Sequence, residues 1–143
     1  MGCMPVAFHT TRRVEFADTD MAGIVHFANF FRYMEAAEVD FLHARGLSVK
    51  LEWDGQMLGF PRVAASCDYL RPVTFEDVLD VVVSVRQVGR KSVTYAFEFS
   101  KEGEPVARGQ ITTVCCRVGP GRQIQAIEIP PGIRDRLQGT ADA

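Results

Sequence analysis

The sequence predicts an α+β fold in which one long central helix is wrapped by a curved antiparallel sheet of about five strands. Three observations point to it. One stretch, from about 27 to 44, carries a helical apolar period; four runs rich in β-branched residues follow Pro61, each parted from the next by a turn signal; and one further β-like run precedes the helix.

The first run spans about 8–16, where Val14 and Phe16 alternate with Arg13 and Glu15, and it delivers the chain to Asp18 and Asp20. The helix follows, with Gly46 as its stop just past Arg45. At about 100° per residue, Phe27, Phe30, Phe31, Met34, Ala37, Phe41 and Leu42 fall on one arc broad enough to be wrapped by a sheet. Glu38 falls inside that arc and Glu35 at its edge, so at least one carboxylate points toward apolar surroundings and needs an arginine, a ligand or a route to solvent. The segment 47–60, with Trp53 and two glycines, reads as a connector bordering a pocket. Strands are expected at about 62–70, 78–88, 92–101 and 105–118, meandering antiparallel. Arg71-Pro72, Gly89-Arg90-Lys91 and Glu102-Gly103-Glu104-Pro105 supply the joins. After Gly119 the tail holds one short extended piece around Ile124, Ile127 and Ile129 and then frays.

With 143 residues, 47% hydrophobic and 24% charged, the chain suits a single domain over 1–143 whose core occupies about 9–131. A net charge of -2 provides no general attraction to nucleic acid or anionic membrane, so any basic site is local. Cys3, Cys67, Cys115 and Cys116 lack C-x-x-C spacing, and Cys115 and Cys116 on one strand would face opposite ways, which argues against a disulfide framework or a zinc site. No apolar run approaches the roughly 20 residues of a membrane span and none follows a basic leader, so a reducing cytoplasm is the expected location.

The chemistry concentrates in Asp18-Thr19-Asp20-Met21-Ala22-Gly23-Ile24-Val25-His26, a polar break carrying two carboxylates immediately before the helix. A helix start leaves N–H groups without intrahelical partners and carries partial positive charge, so it can stabilise an oxyanion beside Asp20. Read locally, the same residues also suit a plain turn organised by Asp18 and Thr19, with Asp20 a solvated loop acid.

The motif from Asp18 to Val25, together with Arg90-Lys91-Ser92 and Gln125-Ala126-Ile127-Glu128-Ile129-Pro130 at matching spacing, resembles the hotdog-fold acyl-CoA thioesterases, in particular the 4-hydroxybenzoyl-CoA thioesterase branch, over roughly residues 9–131. The resemblance implies hydrolysis of a small aromatic or short- to medium-chain acyl-CoA to the free acid and coenzyme A, without metal or other cofactor. Asp20 matches the catalytic carboxylate, acting as nucleophile or as general base, and the Phe27 backbone amide matches the group that polarises the thioester carbonyl. Arg90, Lys91 and Ser92 match the turn that meets the phosphates and pantetheine arm. Glu35 matches a helix position facing the far end of the acyl group. In related thioesterases a histidine stands at the Phe27 position; here His26 comes one residue earlier and is expected to be a structural or pocket-wall residue. The resemblance further implies a homodimer or homotetramer with the active site between subunits, and no nucleic-acid or membrane partner.

Two other readings use the same groove: a non-catalytic module binding acyl-CoA or an acyl carrier, and dehydration of hydroxyacyl thioesters, for which His26-Phe27 lacks the expected glycine and proline context. No G-x-S-x-G, P-loop or dinucleotide-binding glycine pattern is present.

Overall fold

The computed structural model describes residues 7–139. The expectations for Cys3 and for the frayed ends beyond these bounds lie outside the described residues. Nine strands and two α-helices follow in chain order: β1 (Ala7–Arg13), α1 (Asn29–Ala44), β2 (Lys50–Trp53), β3 (Gln56–Gly59), β4 (Arg62–Tyr69), β5 (Val78–Val88), β6 (Ser92–Lys101), β7 (Glu104–Val114), β8 (Cys116–Val118), β9 (Ile124–Ala126) and α2 (Pro131–Leu137).

The main sheet is antiparallel with order β1-β5-β6-β7-β4. Its inner face, built by alternate residues such as Leu79, Val81 and Val83 on β5 and Val93, Tyr95, Phe97 and Phe99 on β6, meets Phe30, Tyr33, Met34, Ala37, Phe41 and Leu42 of α1. Ring contacts stitch the two layers, with Phe41 against Tyr95 at 5.9 Å and Phe30 against Phe99 at 5.4 Å. Gly109 on β7 permits the close approach, since a Cβ there would lie 2.0 Å from the Met34 sulfur.

The five-stranded sheet around a helix is as expected, but several expectations need correction. The strand at 62–70 does not pair with its successor: β4 crosses over to β7, Cys67 opposite Gly109, and only β5, β6 and β7 meander. The eight-residue link 70–77 carries the chain from β4 to β5 across the sheet rather than turning tightly between neighbours. The run 105–118 breaks at Cys115, whose N–H bonds the Lys91 carbonyl while its own carbonyl accepts from Ile127. The chain there leaves the main sheet for a second one, β2-β3-β8-β9, and Cys115 and Cys116 are both buried rather than on opposite faces of one strand.

The connector at 47–60 is the β2-β3 hairpin of that second sheet. Its turn is Asp54-Gly55, both at positive φ (49° and 76°), the pairing that such a turn demands. The tail also holds more structure than expected. Pro131 starts α2, which buries Ile133 and Leu137 and packs on Trp53, so the core extends past residue 131 and a second helix joins the first. Arg136 lies over the Trp53 ring at 5.1 Å. Finally, β1 ends at Arg13 rather than near residue 16, and α1 begins at Asn29 rather than Phe27. Among the described residues no helix is long and apolar enough to cross a membrane.

The candidate active site

Between β1 and α1 the chain folds into a miniature hairpin. Asp18 and His26 face each other through the His26 N–H to Asp18 carbonyl bond (2.9 Å), and one step inward the Asp20 N–H donates to the Ile24 carbonyl (2.8 Å). The loop is Met21-Ala22-Gly23, closed by the Gly23 N–H to Asp20 carbonyl bond at 3.0 Å, with Gly23 at φ +83°. This is a three-residue hairpin loop ending in a left-handed residue, the reason a glycine stands there.

That loop aims Asp20. Its Oδ1 accepts the N–H of Ala22 (2.8 Å) and, more weakly, that of Ile24 (3.4 Å), so one oxygen is fixed by the backbone while Oδ2 has no protein partner among the described residues. Asp20 lines a cleft of about 490 Å³ with Ile24, Val25, Phe27, Phe30, Tyr69, Leu70, Arg71, Pro72 and Val73. The walls are otherwise apolar and aromatic; Asp20 and Arg71 are the two charged side chains.

Phe27 shares this cleft. The residues before α1 form a loose helical entry, in which Asn29 N–H bonds the His26 carbonyl and Phe30 N–H the Phe27 carbonyl (3.3 Å). The Ala28 N–H is taken by His26 Nδ1 at 3.2 Å. The Phe27 N–H has no acceptor among the described residues, so of two residues lining this cleft one carries an unpaired backbone donor and the other a carboxylate oxygen without a protein partner.

Asp18, the other acid, is tied into the fold. Its Oδ2 accepts the Tyr33 hydroxyl (2.7 Å) and the Glu15 N–H (2.9 Å), and its carbonyl accepts the Asn29 side-chain amide (2.8 Å). Burial first, and then the bond to Asp18, push the Tyr33 phenol above its ordinary range, so it acts as a donor throughout. Asp18 thus ties the hairpin base to the buried face of α1.

Other expected site residues are placed as follows. His26 is exposed, stacks on Phe27 at 4.7 Å and is not part of the cleft wall. Glu35 forms an ion pair with Arg62 at 3.6 Å and likewise does not line the cleft. Its neighbour Glu38 is fully buried and accepts from Arg62 Nε at 2.9 Å and from Nη2, which identifies the partner its position demands. Arg90, Lys91 and Ser92 sit at the β5-β6 turn, at the other end of β5 from Asp20. Arg90 pairs with Glu128, whose carboxyl is thereby held below its ordinary range, and Lys91 is exposed. Arg134 of α2 donates to the Gly89 carbonyl at 2.8 Å and braces this turn. Among the described residues no three His, Cys, Asp or Glu side chains gather as a metal site would require.

Sequence reading missed Tyr69 and Arg71. Tyr69 ends β4, and its hydroxyl donates to the Phe27 carbonyl at 2.9 Å. Its place beside the Arg71-Pro72 break was a usable signal, because strand ends and the loops after them carry sites.

The hairpin makes a testable claim. Gly23→Ala meets nothing within 4 Å, so its penalty is the left-handed backbone alone. It is expected to lower stability by about 1 kcal/mol and to reduce any activity that depends on Asp20 more than it reduces the folded fraction, as read by thermal melts beside rate assays.

Comparison with known proteins identifies the family. Residues 14–137 match the thioesterase-like superfamily. A 1,4-dihydroxy-2-naphthoyl-CoA hydrolase of Synechococcus elongatus is 30% identical over 132 residues, covering 92% of this chain and 95% of that protein. The 4-hydroxybenzoyl-CoA thioesterase of Pseudomonas sp. strain CBS-3 is 27% identical over 126 residues, covering 83% and 89%. The crystal structure of a 1,4-dihydroxy-2-naphthoyl-CoA thioesterase from Synechocystis superposes with a TM-score of 0.79 at 27% identity, over 92% of this chain and 96% of that one. By family match, relatives and fold alike, the chain belongs to the thioesterase-like superfamily and is a thioester hydrolase.

Proposed function

We propose that the protein hydrolyses an aromatic acyl-CoA, with Asp20 as the catalytic carboxylate and the Phe27 N–H as the donor to the thioester oxygen. The observation that carries this reading is that one aromatic-walled cleft is lined both by Asp20, which keeps an oxygen without a protein partner, and by Phe27, whose backbone N–H is unpaired. A thioester carbonyl lodged there is polarised by the amide as charge builds on its oxygen. Asp20 either attacks the carbon, expelling the coenzyme A thiolate and leaving a mixed anhydride for water to open, or takes a proton from the water that attacks directly. The relatives' names, hydrolases and thioesterases of hydroxylated monocyclic and bicyclic aromatic acyl-CoAs, support an aromatic acyl group, as do Phe27, Phe30 and Tyr69 on the cleft wall.

The phosphates of coenzyme A are assigned to Arg90 and Lys91, with Ser92 on the pantetheine side. Because β5 runs for 11 residues between the Asp20 end and this turn, roughly 35 Å of strand, the turn serving a given Asp20 is assigned to a second subunit. The edge strand β4 supports such pairing. It is eight residues long, contains no proline or lysine and leaves Val63 61% exposed, an edge open to a second copy in a dimer or tetramer. In that assembly Glu35 and His26, which lie off their own chain's cleft, are assigned to the groove shared with the partner. The free thiols at Cys67, Cys115 and Cys116 agree with a cytoplasmic setting.

The test is release of free thiol across a panel of aromatic and aliphatic acyl-CoAs, with Asp20→Asn as control. Tight binding without turnover of any thioester would instead favour a non-catalytic acyl-CoA or acyl-carrier module. Lys91→Ala is expected to raise KM for coenzyme A thioesters several-fold with little change in kcat, and to leave a truncated thioester lacking the nucleotide unaffected.

A further inference from the structure

We infer that Tyr69 is a positioning residue: its hydroxyl clamps the backbone of Phe27 and so fixes the direction of the Phe27 N–H along the cleft. The inference rests on the hydrolysis proposed above and extends it to a side chain from a distant strand.

The Phe27 backbone needs such a clamp. It lies before the first turn of α1, outside the intrahelical ladder, and its carbonyl otherwise accepts only the long Phe30 bond at 3.3 Å. On its N-terminal side His26 N–H is tied to the Asp18 carbonyl at 2.9 Å. On its C-terminal side the Tyr69 hydroxyl meets the Phe27 carbonyl at 2.9 Å, across 42 residues of sequence. The peptide that carries the unpaired N–H is also held at its own carbonyl, where His26 accepts the Asn29 N–H at 2.9 Å, so the Tyr69 bond is the anchor on the following peptide. Removing it leaves the Phe27 carbonyl with the long Phe30 bond and loosens the backbone on the C-terminal side of that N–H.

Tyr69 suits the role because its own base is rigid. It pairs with Ala107 of β7, and the next two N–H groups, of Leu70 and Arg71, both bond the Val106 carbonyl, at 2.8 and 3.1 Å. Its ring stands edge-on to Phe27 (6.4 Å) and Phe30 (5.5 Å), which fixes the hydroxyl's approach. Partial burial and the neighbouring Cys67 thiol hold the phenol above its ordinary range, so the hydroxyl remains a donor. Catalytic groups lose effectiveness steeply when displaced by a fraction of an ångström to an ångström, and a site held by a strand is steadier than one held by a loop alone.

Tyr69→Phe is the test, because it keeps both ring contacts and deletes only the hydroxyl, on a side chain 45% exposed whose loss leaves the core intact. Two measurements are made on the full chain: hydrogen exchange of the peptide spanning 25–30, and kcat and KM for an aromatic acyl-CoA that the wild type hydrolyses. The clamp predicts faster exchange in that peptide with an unchanged melting temperature. It also predicts kcat lower by about five- to tenfold, the equivalent of one neutral hydrogen bond, with KM within about twofold. Unchanged exchange overturns the inference, and so does a raised KM at constant kcat, which would make Tyr69 a substrate-binding group. Should the wild type release thiol from no thioester while Tyr69→Phe still accelerates exchange, the clamp stands and the proposed hydrolysis falls.

Discussion

Asp20→Asn is expected to lower thiol release from the preferred acyl-CoA by at least about 10²- to 10⁴-fold, the range that a positioned acid or base supplies, and further if Asp20 is the nucleophile. The substitution is a clean one in this fold. Asparagine keeps an Oδ1 that can accept the Ala22 and Ile24 N–H groups, so the Met21-Ala22-Gly23 loop retains its closure. What it loses is the ionisable oxygen on the cleft side. Melting temperature and coenzyme A affinity are therefore expected to stay near wild type, and a fall in either alongside the rate would mean the change acted through folding. If kcat and kcat/KM both remain within a few-fold of wild type, Asp20 is not the catalyst. Quenched single turnovers in labelled water separate the two routes: label found in the Asp20 side chain requires the anhydride.

The largest expected effect on stability lies elsewhere, at Arg62. Glu38 is fully buried in the middle of α1, and Arg62 at the start of β4 is the side chain that compensates its charge. Glu38 Oε2 is buried without a partner among the described residues, so the carboxylate is under-satisfied even with Arg62 in place. Arg62→Ala is expected to destabilise the protein by about 3 kcal/mol at pH 8, toward the lower end for removing one partner of a buried pair because Arg62 itself is 32% exposed. The pH dependence has a definite sign. Burial first, opposed by the Arg62 bond and charge, raises the Glu38 carboxyl above its ordinary range, so the folded state binds a proton that the unfolded state has released. Stability from this group is greatest at acid pH and is lost as pH rises from the ordinary glutamate range through the folded-state value. Removing Arg62 takes away the bond and the charge that oppose this rise, so the deficit of Arg62→Ala should shrink between pH 8 and pH 5. Adding Glu38→Gln to Arg62→Ala should recover most of the loss. Denaturant melts at both pH values check this, and a deficit independent of pH would show that Glu38 is not its origin.

Much of this molecule was legible before any coordinate. The helix arc names six of the residues that α1 buries against the sheet or packs on it, because a 3.6-residue period has one geometric meaning whatever surrounds it. Gly46 ended the helix where expected, at φ 70°. The Asp18–Val25 motif and the basic turn were legible as well, since both are local patterns. Asp54-Gly55 is itself a turn signal, but its hairpin strands are four residues each, too short for periodicity to stand out. The helix at Pro131 is faint in the sequence for a related reason, since its apolar signal is just Ile133 and Leu137.

What the chain's letters determined by themselves is the set of local shapes: which segments coil, which extend, and where an acid stands next to a helix entry. Only the tertiary structure decided which of these meet. The pairing of β4 with β7, the reach of Tyr69 to Phe27, and the burial of Glu38 against Arg62 each join residues far apart in sequence, and no local preference encodes them. They follow from closing one sheet around one helix, where the core's packing, summed over many side chains, outweighs the conformational freedom each segment surrenders.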